Sequence, residues 1–187
     1  MKKLAILSGA FLFVVAVAQG QPKNEHKGKV IETKGELKTE RVALRKLEGT
    51  NVGVLARNNF SKDFSDAKFV QSKRVDTFDE FLFTNKDGNE MKAYYDYEGD
   101  LVGTTQRKTF ADIPVKAQEK IKSEYKDYTI GDVTFFNDNE LNDSDMILWG
   151  LQFDDSDLYF VELTKGSSKI IVQVDAESRV SFFKELS

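Results

Sequence analysis

The chain has no cysteine and one histidine, His26. Without thiols there is no disulfide, no thiolate nucleophile and no cysteine-ligated zinc, so the fold must rest on packing alone. His26 lies between Glu25 and Lys27 in a charged stretch, which leaves little material for imidazole acid–base or triad chemistry. No G-x-S-x-G elbow, Walker loop or G-x-G-x-x-G fingerprint occurs, and the glycines stand singly at turns. No basic patch is present either: Lys116, Lys120, Lys122 and Lys126 alternate with Glu119, Glu124 and Asp127, the pattern of a solvated helix face. No catalytic residue and no cofactor are assigned on these grounds.

What is there begins at residue 1. Lys2 and Lys3 precede an apolar run from Leu4 to Val15, and Ala16 and Ala18 then form an A-x-A site ahead of the polar Gln19 to Lys23. Such a run is short for a membrane span and has the plan of a secretory signal peptide, residues 1–20. The expected product is exported to the periplasm or beyond, is soluble, and lacks the cysteine a lipoprotein would carry. No later window has the length or apolarity of a membrane span. Removing Lys2 and Lys3 takes the formal charge from −4 to about −6, an acidic balance that disfavours nucleic acid as a partner.

Residues 21–49 are charged and weakly patterned; Gln21 to Lys29 has the composition of a disordered lead-in, and Val30 to Leu47 suits a strand or a short helix equally. From Thr50 the pattern sharpens. Val52, Ala56, Phe60 and Phe64 recur every four residues as the stripe of an amphipathic helix, with Thr50 or Asn51 available as its cap. Strand character follows at Lys68–Val75 and Phe78–Thr84, and an Asp87-Gly88 turn leads into Met91–Tyr97. After Leu101–Gln106, Pro114 opens a second helix with the stripe Ala117, Ile121 and Tyr125. Strands are then expected near Tyr128–Phe136, Met146–Phe153, Leu158–Thr164, Lys169–Asp175 and Arg179–Lys184, with Ile147, Trp149, Leu151 and Phe153 sharing one face. Asp96 to Gly99 is similar to Asp175 to Ser178, and each half reads as a helix followed by strands. The expected fold class is therefore α+β, two tandem helix plus antiparallel β-sheet repeats over residues 50–109 and 110–187, with the helices packed on one face of the sheet.

Three stretches carry a resemblance: Phe60-x-x-x-Phe64, Met91 to Gly99, and Ile113-Pro114 leading to Tyr125-Lys126-Asp127-Tyr128-Thr129-Ile130. Their order resembles the β-lactamase-inhibitor-like, PepSY-like exported proteins of Bacteroidetes, over roughly Val52 to Leu186. The resemblance implies helices on an antiparallel sheet, an extracytoplasmic address and a protein-binding or inhibitory role. Its most specific elements are Tyr94 to Gly99 and Ile113 to Ile130; neither contains a catalytic group, and the lack of cysteine departs from the inhibitor pattern.

Two acidic clusters remain. Asp138, Glu140, Asp143 and Asp145 lie in an Asn-rich loop, and Asp154, Asp155 and Asp157 crowd a turn. Oxygen ligands this dense make Asp138, Glu140, Asp143 and Asp145 weak calcium candidates, but their spacing is not that of an EF-hand and turn chemistry is the preferred reading. Among the aromatics, Tyr94, Phe136 and Phe183 fall out of phase with their inward neighbours and are candidates for partner binding. The leading function is a non-enzymatic exported binding module for another extracytoplasmic protein, inhibition being one form of it. An envelope-maintenance or assembly factor is the alternative, and a carboxylate-dependent hydrolase a minor one.

Overall fold

Alternating side chains and short polar turns build the order α1 (Val54–Asp63), β1 (Lys68–Val75), β2 (Phe78–Thr84), β3 (Glu90–Tyr95), β4 (Leu101–Lys108), α2 (Val115–Glu124), β5 (Thr129–Asp138), β6 (Met146–Leu148), β7 (Leu151–Phe153), β8 (Leu158–Lys165), β9 (Ser168–Val174) and β10 (Val180–Leu186). This computed structural model describes residues 46–75 and 77–186; the expected signal peptide and nearly all of the charged lead-in lie outside them. Eight strands form one antiparallel sheet in the order β1-β2-β3-β4-β5-β8-β9-β10, and β6 pairs only with β7. The class is α+β.

The Met146–Phe153 segment departs from the single strand its alternation predicts. Trp149 and Gly150 both adopt positive φ, 51° and 75°, and fold the segment into a tight hairpin in which Leu148 faces Leu151. Two successive positive φ values make the primed turn whose twist suits a hairpin. Trp149 is thus a turn residue, and β5 pairs with β8 across the excursion.

One local device recurs at three hairpin turns. The side chains of Asn85, Asp96 and Asp175 each accept the backbone N–H four residues on, at 2.9, 3.0 and 2.8 Å, while the backbone N–H three residues on bonds back to their carbonyls. Asp and Asn favour such turns because a short side-chain oxygen can replace a backbone acceptor. The likeness of Asp96–Gly99 to Asp175–Ser178 reflects this shared turn. Gly88 and Gly99 fill its positive-φ position in two copies, but Ser178 fills it in the third, at φ 65°. Ser178→Gly should raise stability by about 0.5–1 kcal/mol by relieving that conformation, measured as a shift in the urea midpoint.

Three apolar clusters hold the elements together. Helix α1 lays Ala56 and Phe60 onto Phe81, Phe83, Ala93 and Tyr95, and the Phe60 and Phe81 rings stack at 4.5 Å and 8°. Its N-cap is Gly53, not the expected Thr50 or Asn51, and the negative charge at that end comes from another element. Asp79, buried on β2, accepts the Gly53 N–H at 2.7 Å and a two-point contact from Arg74 at 2.8 and 2.9 Å. A carboxylate there complements the helix dipole. Helix α2, entered through Pro114, packs Ala117 and Ile121 against Val133, Val161, Leu163 and Val172. The third cluster joins Phe78, Tyr94, Phe136, Phe160 and Ile171 to Met146 and Phe153 of the hairpin. These sheet residues alternate with those beneath the helices, so the hairpin covers the opposite side of the same strands.

The outermost strands are both interrupted. The β1 register slips between Phe69 and Gln71, and the β10 register slips between Phe182 and Lys184.

Candidate functional site

Beyond the hairpin tip, the sheet face that carries it continues as a cavity of about 1050 Å³. Strands β2, β3 and β4 place Glu80, Lys92, Tyr94, Thr105 and Arg107 along it, and Trp149 stands at its rim. The polar row follows from register: Glu80 lies opposite Tyr94, and Lys92 opposite Thr105, so alternate residues of neighbouring strands present charge and hydroxyl to the same side.

Glu80 is the centre of this face. Its side chain is 8% exposed, yet Lys73 and Lys92 reach it at 3.2 and 3.3 Å. Each carboxylate oxygen faces an ammonium, which offsets the cost of burying the charge. The Tyr94 hydroxyl and Thr105 Oγ1 are 3.3 Å apart, and burial raises the Tyr94 pKa well above the usual phenol range. Arg107 pairs with Asp132 at the open edge. At the rim, the Lys184 ammonium donates to the Trp149 carbonyl, and the indole packs 5.2 Å from Phe160 and 6.2 Å from Phe183. A tryptophan at positive φ is an unusual choice for a turn, and strained residues of this kind gather at binding and catalytic surfaces.

The residues picked out from sequence are placed as follows. Tyr94 forms part of the groove floor but is 4% exposed, and Phe136 is fully buried against Phe153 at 5.2 Å. Their expected exposure is not found, because the hairpin covers the face to which their phase turns them. Phe183 is half-buried in the aromatic cluster, while its neighbour Phe182 is the exposed one, at 58%. Sequence reasoning missed Glu80, Lys92, Thr105, Arg107 and the turn role of Trp149. The Trp149-Gly150 pair was the available signal, since glycine after a bulky residue marks a turn even inside apolar alternation.

The four calcium candidates have different surroundings. Asp145 is buried and accepts from Gln152 Nε2 at 2.6 Å, Asp143 lines a second, acidic cleft with Asp63 and Asp96, Glu140 is exposed, and Asp138 Oδ1 is buried without a hydrogen-bond partner. Among the described residues no group of three carboxylate or imidazole side chains is arranged to hold a metal. Asp138 and Asp155 line neither cavity.

The same arrangement of strands and helices recurs in solved structures. A BLIP-like protein from Bacteroides fragilis superposes with a TM-score of 0.52 at 12% identity, over 72% of this chain and 84% of that one. The chain has the BLIP-like fold. A DUF2874 family protein from Bacteroides uniformis superposes on this chain with a TM-score of 0.56 at 14% identity, over 70% and 89% of the two chains. A protein described as periplasmic from Bacteroides eggerthii gives 0.56 at 12% identity, over 71% and 89%. No family model matches the chain, and no curated protein does. Among the described residues no helix is long and apolar enough to cross a membrane.

Proposed function

We propose that the protein is an exported, non-enzymatic binding module that engages another extracytoplasmic protein through the groove beside the β6–β7 hairpin. The observation that carries this reading is the groove itself: Glu80, Lys92 and Arg107 spread across three strands, with Trp149 standing at one end. Tryptophan and arginine are the side chains that most often supply binding energy at protein interfaces, and the mixed charges suit a partner with its own complementary pairs. The basic and acidic side chains face each other, and no nucleophile–base pair converges there, so the geometry supports recognition over bond-breaking. The BLIP-like fold agrees with this reading, and inhibition is the form it takes where the bound surface is a partner's active site. The expected signal peptide supplies the route out of the cytoplasm.

The protein, immobilised, should retain one stoichiometric partner from an envelope or secreted fraction. Arg107→Glu and Trp149→Ala should each weaken that capture by about tenfold or more, whereas Val115→Glu, on the exposed side of α2, should leave it unchanged. Equal capture by all three variants would place the interface elsewhere.

A further inference from the structure

The open half of the groove face carries its charges in a diagonal line. Register sets Lys73 of β1 opposite Glu80 of β2, Lys92 of β3 opposite Leu82, and Thr105 of β4 opposite Lys92, so Arg107 lies one diagonal step beyond. Past β4 the line runs through Asp132 and Glu162 to Lys169 on β9. Within every pair on this line the cation is the outer partner. Lys92 is 40% exposed against 8% for Glu80, Arg107 78% against 56% for Asp132, and Lys169 45% against 18% for Glu162. Lys73 overlies Glu80 in the same way. The carboxylates are answered from within, and what the line turns outward is ammonium and guanidinium. Among the described residues Lys92 gives one donor to Glu80 and Arg107 one to Asp132, out of the three and five that those groups possess. This outward row of cations stands against an acidic protein, of net charge −4, whose second cleft is lined by Asp63, Asp96, Glu98, Asp100 and Asp143.

We propose that the groove takes an extended acidic segment of a partner protein, with carboxylates at alternate positions, one meeting Lys92 and the next Arg107. The inference rests on the groove being the binding surface and names what fills it. Spacing supports the match. Lys92 and Arg107 are diagonal neighbours on adjacent strands, a separation of about 7–8 Å. Side chains on one side of an extended chain recur every two residues, about 6.5–7 Å apart. The hairpin wall of Ile147, Leu148 and Trp149 gives an apolar or aromatic side chain of the same segment a surface to pack on. A dense polyanion suits the line less well, because Glu90, Asp112 and Asp132 also line the groove and repel charges packed closely along it. The acidity of the remaining surface turns an acidic partner away elsewhere and so orients its approach.

A fluorescein-labelled peptide of Glu-Thr repeats, about eight residues long, should bind at low salt about tenfold or more tighter than its Lys-Thr counterpart, read by fluorescence anisotropy. Raising the salt from about 20 to about 200 mM should weaken that binding severalfold. Lys92→Gln and Arg107→Gln should each weaken it by about fivefold or more. Lys116→Gln, the same change of charge on the exposed side of α2, should leave it unchanged. Absence of binding, or no preference between the two peptides, would overturn the proposal. Equal loss in all three variants would reduce the effect to net charge and overturn it as well. Tighter binding of heparin or inorganic polyphosphate through the same two residues would assign the row to a dense polyanion, with the same result. If Lys92→Gln does not fold, Arg107→Gln decides, because its side chain lies at the open edge of the groove. Loss of partner capture in Trp149→Ala but in neither glutamine variant would keep the groove and remove its acidic occupant. A peptide held by the row, with capture indifferent to both Arg107→Glu and Trp149→Ala, would instead fail the groove reading alone.

Discussion

Replacing Asp79 by alanine is expected to lower folding stability by about 3–5 kcal/mol, read as a fall in the urea midpoint with the slope unchanged. The size comes from what is left behind. Asp79 is buried, and its two oxygens serve the Arg74 guanidinium, itself largely enclosed, and the backbone N–H of Gly53 at the start of α1. Removing the carboxylate strands a positive charge and a donor together, a cost larger than the loss of one exposed ion pair. The pair as a whole contributes less than the single deletion suggests, because both ions were desolvated to make it. Arg74→Leu combined with Asp79→Leu should therefore recover most of the loss. A single variant costing less than about 1 kcal/mol would show that water reaches the pair.

Phe60→Ala should cost a similar amount, about 3–5 kcal/mol, and lower the thermal midpoint by about 10 °C. Phe60 is the point at which α1 enters the sheet. Its ring stacks on Phe81 and lies edge-on or tilted to Phe64, Phe69, Phe83 and Tyr95, all within 6.5 Å. Deleting it removes one side from five aromatic contacts at once, and the rigid strands beneath cannot close the space. Phe60→Leu fills most of the volume and should cost about 1.5 kcal/mol. Calorimetry of the two variants separates the cavity from the lost ring interactions.

The sheet was legible in the chain because its strands follow simple physics. Phe81 and Phe83, or Val161 and Leu163, sit two residues apart and share a side of the pleat, and the Asn85 and Asp96 turns announce themselves by composition. The α1 stripe was equally plain. Its cap was not, because the charge that serves it arrives from residue 79, and local sequence cannot show a partner 26 positions away. The site was hidden for a related reason. Apolar alternation through Met146–Phe153 describes a strand and a tight hairpin equally well, so the turn at Trp149 and the coverage of Tyr94 and Phe136 could not be separated from it. Glu80 and Lys92 meet only because the β2–β3 register sets them diagonally on one side of the sheet, which local sequence does not show. The acidic density of the two hairpin legs was visible from the start, but the hold of Asp157 on Asn137 and on the Asp138 N–H depends on where those legs close.

The slips in β1 and β10 bear on how the molecule behaves in company. An open sheet of this width ends in two rows of backbone groups that invite another chain to add itself. Along β1 such a visitor meets regular pairing only from Gln71 to Val75, and along β10 the slip falls in the middle of the strand. An incoming strand can match either side of the irregularity but not both. Strand addition is therefore discouraged at both rims, and the broad face is the part of the sheet that stays open to solvent-borne partners only where the hairpin and helices leave it uncovered.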